Sequence, residues 1–214
     1  MAIASNLKAT QNSLPKEVTL VAVSKTKPNT AILEAYQAGQ RIFGENKVQE
    51  LAQKAEELPK DIAWHMIGHL QTNKVKFIAP FVSLIHGVDS LKLLKEINKR
   101  AEQNNRRIDC LLQVHIATES SKFGFGIEEV ESALNQAEEF ENIKIVGLMG
   151  MATFTDDTQQ VSQEFKSLKT VFDSIKNEHI TTLSMGMSGD YKLAIEQGST
   201  MIRVGSAIFG HRNK

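Results

Sequence analysis

The sequence has little of several things that would assign it to a special class of protein. Its 214 residues include one cysteine, one tryptophan and four prolines, and 25 basic and 25 acidic residues leave no formal net charge. A single cysteine excludes a disulfide framework within the chain. Zero net charge excludes the broad basic surface typical of proteins that bind nucleic acids or anionic membranes. We therefore expect neither nucleic acid nor membrane among its partners.

Long apolar runs are also missing. No window approaches the roughly 18 apolar residues of a membrane-spanning helix, and residues 1–10 lack the apolar stretch of a secretory signal. The lone Cys110 lies in an apolar run, residues 108–114, where a thiol packs as a small hydrophobic side chain. These absences predict a soluble cytoplasmic protein. Its length suits one domain, which we place at residues 1–214.

What the sequence does contain is an alternation of short, β-branched runs with longer segments of helical periodicity. Eight such alternations follow a first helix predicted before Pro15. Several of the runs are apolar on both faces, as parallel strands covered by helices are. The predicted strands are residues 19–24, 41–44, 63–67, 84–88, 109–115, 144–149, 182–185 and 201–204.

Eight strand–helix repeats in one undivided chain favour an α/β fold, the closed (β/α)8 TIM barrel. The alternative is an open, doubly wound sheet, which needs a glycine-rich first turn. The corresponding turn here, residues 24–28, has no glycine. In a barrel the loops that follow the strands share one rim, so residues far apart in sequence meet there. Candidate functional residues are therefore those that follow the strands.

Lys25 follows the first predicted strand. Val21, Val23 and Lys25 share one face, so if that face looks inward the ammonium group lies in the barrel mouth. Partial desolvation there lowers the pKa of a lysine and increases the fraction of nucleophilic amine, which condenses with carbonyl groups. The alternative is a lysine that packs its stem along the strand end and keeps its charge in water.

Two small-residue loops follow the last two predicted strands. One contains Ser188 and the other contains Gly205 and Ser206. Small residues expose backbone N–H groups, and barrels often bind phosphate at the seventh and eighth loops. The alternative is that both loops are ordinary turns.

Other polar residues at strand ends leave more than one interpretation open. Arg203 either points inward and donates to a ring nitrogen or pairs with a carboxylate such as Glu45 or Asp190. Asn46 either binds a ligand hydroxyl or caps the helix predicted from Lys47. The histidines at positions 65, 69, 86 and 115 lack metal-site spacing, so we interpret them as rim or core residues.

Six blocks of residues, in this order, resemble the pyridoxal-5′-phosphate homeostasis proteins, a family of alanine-racemase-like barrels. The resemblance covers nearly the whole chain and implies an alanine racemase N-terminal domain-like barrel with pyridoxal 5′-phosphate as cofactor and no metal. The blocks are VAVSKTKP (21–28), FGEN with VQE (43–50), WH to IGHLQ-x-NK (64–74), GLM (147–149), MGMS-x-D (185–190), and GST to R-x-G and FG (198–210).

The resemblance also implies a set of cofactor-binding residues. Lys25 forms the Schiff base, Ser188, Gly205 and Ser206 hold the phosphate, and Arg203 lies near the pyridine nitrogen. Asn46 and Met149 line the cofactor. The full set is Lys25, Asn46, Met149, Ser188, Arg203, Gly205 and Ser206.

Chemistry at the ring then predicts the kind of function. A guanidinium keeps its proton, so Arg203 leaves the pyridine nitrogen unprotonated and weakens the ring as an electron sink. Racemisation also needs a second acid–base group, which the resembling racemases obtain from an extra domain and a partner subunit, and we expect no such domain after Gly210. We therefore expect a monomeric, non-catalytic carrier in vitamin B6 homeostasis that passes pyridoxal phosphate to apo-enzymes.

Two alternatives to the carrier stay open. One is a weak pyridoxal-dependent amino-acid racemase or decarboxylase. The other is an aldolase-type barrel that uses Lys25 on a sugar phosphate.

Overall fold

A computed structural model describes residues 3–119 and 123–210. The polar loop 119–124, which the sequence suggests as a lid or a solvated connection, lies partly outside these ranges. The strands are β1 Thr19–Val23, β2 Ile42–Glu45, β3 Ala63–Met66, β4 Leu84–Val88, β5 Ile108–Gln113, β6 Ile143–Met149, β7 Thr182–Met187 and β8 Met201–Val204. The α-helices are α1 Ile3–Asn12, α2 Asn29–Gln37, α3 Val48–Glu57, α4 Leu91–Gln103, α5 Val130–Ala137, α6 Thr158–Ile175, α7 Tyr191–Glu196 and α8 Ser206–Phe209, and 3₁₀ helices span Thr72–Phe77 and Ile127–Glu129.

The strands form a closed barrel. Each pairs in parallel with the next in sequence order, and β8 pairs with β1, where Thr19 lies opposite Met201 and Ala22 opposite Val204. The predicted (β/α)8 barrel is therefore confirmed and the open, doubly wound sheet is wrong. All eight predicted strands are present, with bounds within two residues of those expected.

The pleat of β1 divides its side chains between two cores. Leu20 and Ala22 belong to the outer core, which lies between the strands and the helices. Val21 belongs to the inner core, because alternate residues of a strand point to opposite faces. The inner core also contains Leu84, Leu111, Met149 and Met201. The face of β1 that leads to Lys25 therefore looks into the barrel, which is the condition for a Lys25 ammonium group in the barrel mouth.

Two helices, α4 and α6, begin directly after residues whose side chains cap them. The Ser90 hydroxyl accepts a hydrogen bond from the Leu93 amide at 3.3 Å, and Asp157 Oδ1 accepts bonds from the next two free amides of α6 at 3.0 and 3.1 Å. Each cap satisfies N–H groups that a helix leaves unpaired at its start. None of the helices in the described part of the chain is long and apolar enough to cross a membrane.

Candidate functional site at the carboxyl ends of the strands

The ends of β1, β7 and β8 bring three predicted site residues to one side of the barrel mouth. The Gly205 N–H donates to Ser188 Oγ at 3.0 Å, which joins the loop after β7 to the loop after β8. Gly205 also packs against the end of β1, because a Cβ at this position would lie 3.2 Å from the Val23 carbonyl oxygen. Lys25 follows two residues later and is half-buried. Residues 180 positions apart in the sequence thus line one side of the mouth.

The loop after β7 is shaped by its own hydrogen bonds. Asp190 Oδ1 accepts from the Met187 amide at 2.6 Å, which closes a tight turn around Ser188 and Gly189. Because Ser188 Oγ already accepts a bond from Gly205, its hydroxyl hydrogen is directed elsewhere and can be donated to an anion. No atom outside the turn lies within 4 Å of a Cβ at Gly189, so the turn is open to a ligand. Ser206, the first residue of α8, is exposed.

Arg203 lies inside the barrel. Its side chain is buried, with Nη1 donating to Ser184 Oγ at 2.6 Å and Nη2 to the Gly150 carbonyl oxygen at 3.1 Å. Burial lowers the pKa of Arg203 to about 10, opposed by the negative charge of Asp190, so the group is protonated at neutral pH. No ion pair joins it to Glu45 or Asp190 within residues 3–119 and 123–210. Of the two orientations that the sequence leaves open, the inward one is present.

Asn46 and Met149 lie at the ends of β2 and β6, which are not neighbouring strands. Met149 is buried at the end of β6, and half-buried Asn46 follows β2. Helix α3 begins at Val48, with Lys47 at its cap position and no side-chain capping bond. The hypothesis that Asn46 caps this helix is therefore wrong, and so is the predicted start at Lys47. The chain needs one more extended residue between the barrel wall and the helix.

A buried ion pair that the sequence did not predict lies directly behind the end of β1. Glu45 is fully buried, and its Oε1 accepts hydrogen bonds from Lys54 Nζ at 2.8 Å and from Ser24 Oγ at 2.6 Å. Burial raises the pKa of Glu45, although the bonds from Lys54 and Ser24 lower it. Lys54 shares the buried face of α3 with Val48 and Leu51, six and three residues earlier, and this spacing is the signal that marks it as buried.

This ion pair fixes the backbone on both sides of Lys25. Lys54 Nζ also donates to the Ser24 carbonyl oxygen at 2.9 Å and to Glu50 Oε1 at 2.7 Å. The same Glu50 oxygen accepts the Thr26 amide at 2.7 Å, and Thr26 has a φ of 64°, a conformation that β-branched residues rarely adopt. Helix α3 therefore holds the residue before Lys25 and the residue after it.

Two histidines interpreted as rim or core residues form a buried polar chain with the arginine. His86 Nδ1 lies 3.0 Å from Ser184 Oγ, and His86 Nε2 lies 3.0 Å from His65 Nδ1. Burial lowers the pKa of His65 to about 3 and lowers that of His86 well below its usual value. Both imidazoles are therefore neutral in the physiological range. His69 instead lies at the rim, 3.0 Å from Asp89.

The chain forms a closed α/β barrel. At one rim the backbone on both sides of Lys25 is fixed, Arg203 points inward, and a hydrogen bond joins the Ser188 and Gly205 loops. These features together define a class of ligand-binding barrel. Residues 1–213 match the family described as alanine racemase, N-terminal domain. An alanine racemase of Clostridium difficile shares the fold, with a TM-score of 0.81 at 13% identity over all of this chain and 57% of that one.

Proteins that are more similar in sequence identify the family within this class. A relative from Aquifex aeolicus is 40% identical over 90% of this chain and 86% of its own, and one from Vibrio alginolyticus is 42% identical over 93% and 88%. Both are named pyridoxal phosphate homeostasis protein. PipY of Synechococcus elongatus is 37% identical with a TM-score of 0.92, covering 97% of this chain and 100% of that one, and a second structure of PipY has PLP bound. The chain belongs to the pyridoxal phosphate homeostasis protein family, which confirms the resemblance.

Proposed function

We propose that this chain binds pyridoxal 5′-phosphate at the barrel mouth and acts in vitamin B6 homeostasis as a carrier. The observation that supports this most is the joining of the Ser188 and Gly205 loops beside the end of β1, two residues before Lys25. Lys25 would hold the cofactor, because its amine is the kind of group that condenses with an aldehyde, with loss of water. The cofactor contributes that aldehyde, and the protein holds it in place.

The donors at the rim fit the chemistry of each part of this cofactor. The Ser188 hydroxyl, with Gly205 and Ser206, provides small neutral donors for the phosphate. Arg203 provides a cation of fixed protonation for the pyridine nitrogen. Asn46 and Met149 line the remaining side of the site.

The protonated arginine supports a carrier rather than an enzyme. A guanidinium donates to the ring nitrogen without transferring its proton, so the ring stays a weak electron sink and carbanion chemistry is disfavoured. Exchange needs only an incoming amine that displaces Lys25. We propose apo-enzymes that require pyridoxal phosphate as recipients, and the reducing cytoplasm as the compartment because the single thiol, Cys110, is buried and unpaired with any other cysteine.

The test is reduction of the bound cofactor with borohydride followed by peptide mapping. The purified protein with added pyridoxal phosphate should absorb in the visible range, lose that absorbance on reduction, and carry the reduced label on Lys25. Lys25→Arg should abolish the label. Lys27→Arg is the matched control, because Lys27 lies two residues away and donates to the Phe209 and Gly210 carbonyl oxygens. A label on Lys27 or Lys74 would contradict the site.

A separate assay addresses the carrier role. The protein loaded with pyridoxal phosphate should activate an apo-enzyme that requires this cofactor, and Lys25→Arg protein should not. Turnover of an amino acid by the loaded protein itself, abolished in Lys25→Ala, would instead support the racemase or decarboxylase alternative.

A further inference from the structure

A chain of buried polar side chains crosses the barrel interior and ends on Arg203. It runs from His65 on β3 to His86 on β4, then to Ser184 on β7, with contacts of 3.0, 3.0 and 2.6 Å up to the guanidinium. His86 and Ser184 are fully buried, and His65 nearly so. A buried polar network of this kind persists only when its members satisfy one another.

We infer that Ser184, His86 and His65 are positioning residues that hold the Arg203 guanidinium in one orientation and thereby keep the nitrogen of the bound ring a hydrogen-bond acceptor. The inference rests on the proposed function, because it concerns the same cofactor site. None of the three residues is among those that the sequence assigns to the site.

The direction of each hydrogen bond follows from the chemistry of the arginine. Arginine only donates, so Ser184 Oγ accepts from it. The serine hydroxyl hydrogen then goes to the other described partner, His86 Nδ1, which must be unprotonated. The hydrogen of neutral His86 therefore sits on Nε2 and is donated to His65 Nδ1. The donor end of the network fixes the tautomer of both histidines.

The two histidines of this network are neutral because of their surroundings. A charged imidazole at His86 would be buried away from water and would face the cation of Arg203 and the ring of His65, and all three effects lower its pKa. Arg203 is thus the positive end of an otherwise uncharged network. At neutral pH neither histidine of the network is an imidazolium, so neither competes with the guanidinium for a hydrogen bond to Ser184 Oγ.

The anchors of Arg203 lie on two different elements. Ser184 belongs to β7, and Gly150, whose carbonyl oxygen accepts from Nη2 at 3.1 Å, follows β6. The guanidinium has five N–H donors in one plane, and these two bonds fix the plane. Loss of Ser184 Oγ would leave only the bond to Gly150 and allow the group to rotate away from the mouth.

The test compares two buried serines of the same sheet region. Ser184→Ala removes the acceptor of Arg203. Ser199→Ala is the matched control, because Ser199 is also buried but its hydroxyl lies 2.7–3.2 Å from the Leu183, Met185 and Met201 carbonyl oxygens instead, to one of which it donates. Each variant is loaded with pyridoxal phosphate labelled with ¹⁵N in the ring. In Ser184→Ala the ring ¹⁵N resonance should move and the affinity should fall about tenfold, whereas Ser199→Ala should keep the wild-type resonance.

The outcomes separate the inference from the proposed function. An unchanged resonance in Ser184→Ala that still forms the Lys25 adduct overturns the inference and leaves cofactor binding intact. Equal resonance shifts in both variants overturn it too, because a general loss of packing would then explain them. Failure of the wild-type protein to form the adduct contradicts the proposed function itself.

A second measurement on the wild-type protein covers the case in which Ser184→Ala does not fold. Long-range ¹H–¹⁵N spectra report which imidazole nitrogen carries the hydrogen. His86 and His65 should both be neutral and protonated on Nε2 between about pH 5 and 8. Protonation of His86 on Nδ1, or a charged ring in this range, overturns the inference.

Discussion

At the scale of single residues, the unusual feature is charge buried between the end of β2 and helix α3. Glu45 and Lys54 form an ion pair whose side chains are 0% and 6% exposed, close behind the residue that carries the proposed chemistry. A buried pair is weak evidence of net stability, since desolvation offsets the attraction. Substitution of only one member of the pair has a different effect, because the other member is then a buried charge without a partner. The pair therefore contributes more to the fixed backbone geometry around Lys25 than to the net free energy of folding.

Lys54→Met should destabilise the protein by about 3–5 kcal/mol, because Glu45 loses its cation in a buried site. Urea unfolding monitored by circular dichroism measures this change. Lys169→Met is the matched control, since Lys169 pairs with Asp173 on the surface of α6. This variant should lower the free energy of unfolding by under about 1 kcal/mol. Equal losses in the two variants would contradict the ion-pair argument, and Glu45→Gln added to Lys54→Met should restore part of the loss.

The buried histidines make stability depend on pH. The folded-state pKa of His65 is about 3, against 6.5 in water, so its contribution is complete above pH 6.5 and is lost as the pH falls from 6.5 towards 3. The unfolding free energy should fall by about 1.4 kcal/mol per pH unit from this group. His65→Gln should flatten the slope by that amount in urea titrations. An unchanged slope in His65→Gln would contradict the argument from burial.

At the scale of elements, strand and helix positions follow from local sequence. The run of residues 84–88 is buried throughout and is a strand with the predicted bounds. Helix α6 begins directly after Asp157, whose side chain accepts two amide hydrogen bonds. A cap fixes a helix end because it satisfies specific N–H groups, whereas periodicity only marks the buried face.

Asp157→Ala should destabilise the protein by about 1 kcal/mol, because α6 loses both capping bonds. Thermal or urea unfolding measures the change. Asp156→Ala is the control, since Asp156 precedes the cap position. This variant should lower the free energy of unfolding by under about 0.5 kcal/mol. A larger effect at Asp156 would show that the surface charge, and not the cap, stabilises the helix start.

The parts that the sequence could not predict are contacts across the barrel. His86 and Ser184 meet from β4 and β7, which are not neighbouring strands, so neither local periodicity nor strand order indicates the contact. Lys54 differs in part: its spacing from Val48 and Leu51 marks it as buried, but its pairing with Glu45 depends on how α3 packs on β2. Lys25 and Gly205, in contrast, could be placed together because every loop after a strand reaches the same rim.

At the scale of the whole molecule, closure of the barrel depends on close approach between strands. Gly147 on β6 lies opposite Thr182 on β7, and a Cβ there would be 1.7 Å from the Thr182 carbonyl oxygen. No side chain larger than hydrogen fits without separating these strands. Because the barrel is a single closed sheet, a gap between two strands must be taken up by all the others.

Gly147→Ala should therefore destabilise the protein by more than about 4 kcal/mol or prevent folding. Gly189→Ala is the matched control, because a Cβ there meets no atom within 4 Å and the change should lie within about 0.5 kcal/mol. Circular dichroism and urea unfolding of both variants measure the difference. A stable, folded Gly147→Ala protein would contradict the close approach of β6 and β7.

The packing of Gly205 against Val23 has a consequence for biosynthesis. The Lys25 amine follows β1, whereas the Gly205 loop beside it follows β8. A nascent polypeptide that lacks β8 contains Lys25 and the Ser188 loop, but not the Gly205 backbone N–H that joins this loop to the end of β1. The ribosome must therefore have synthesised β8 and Gly205 before the two sides of the proposed site can meet.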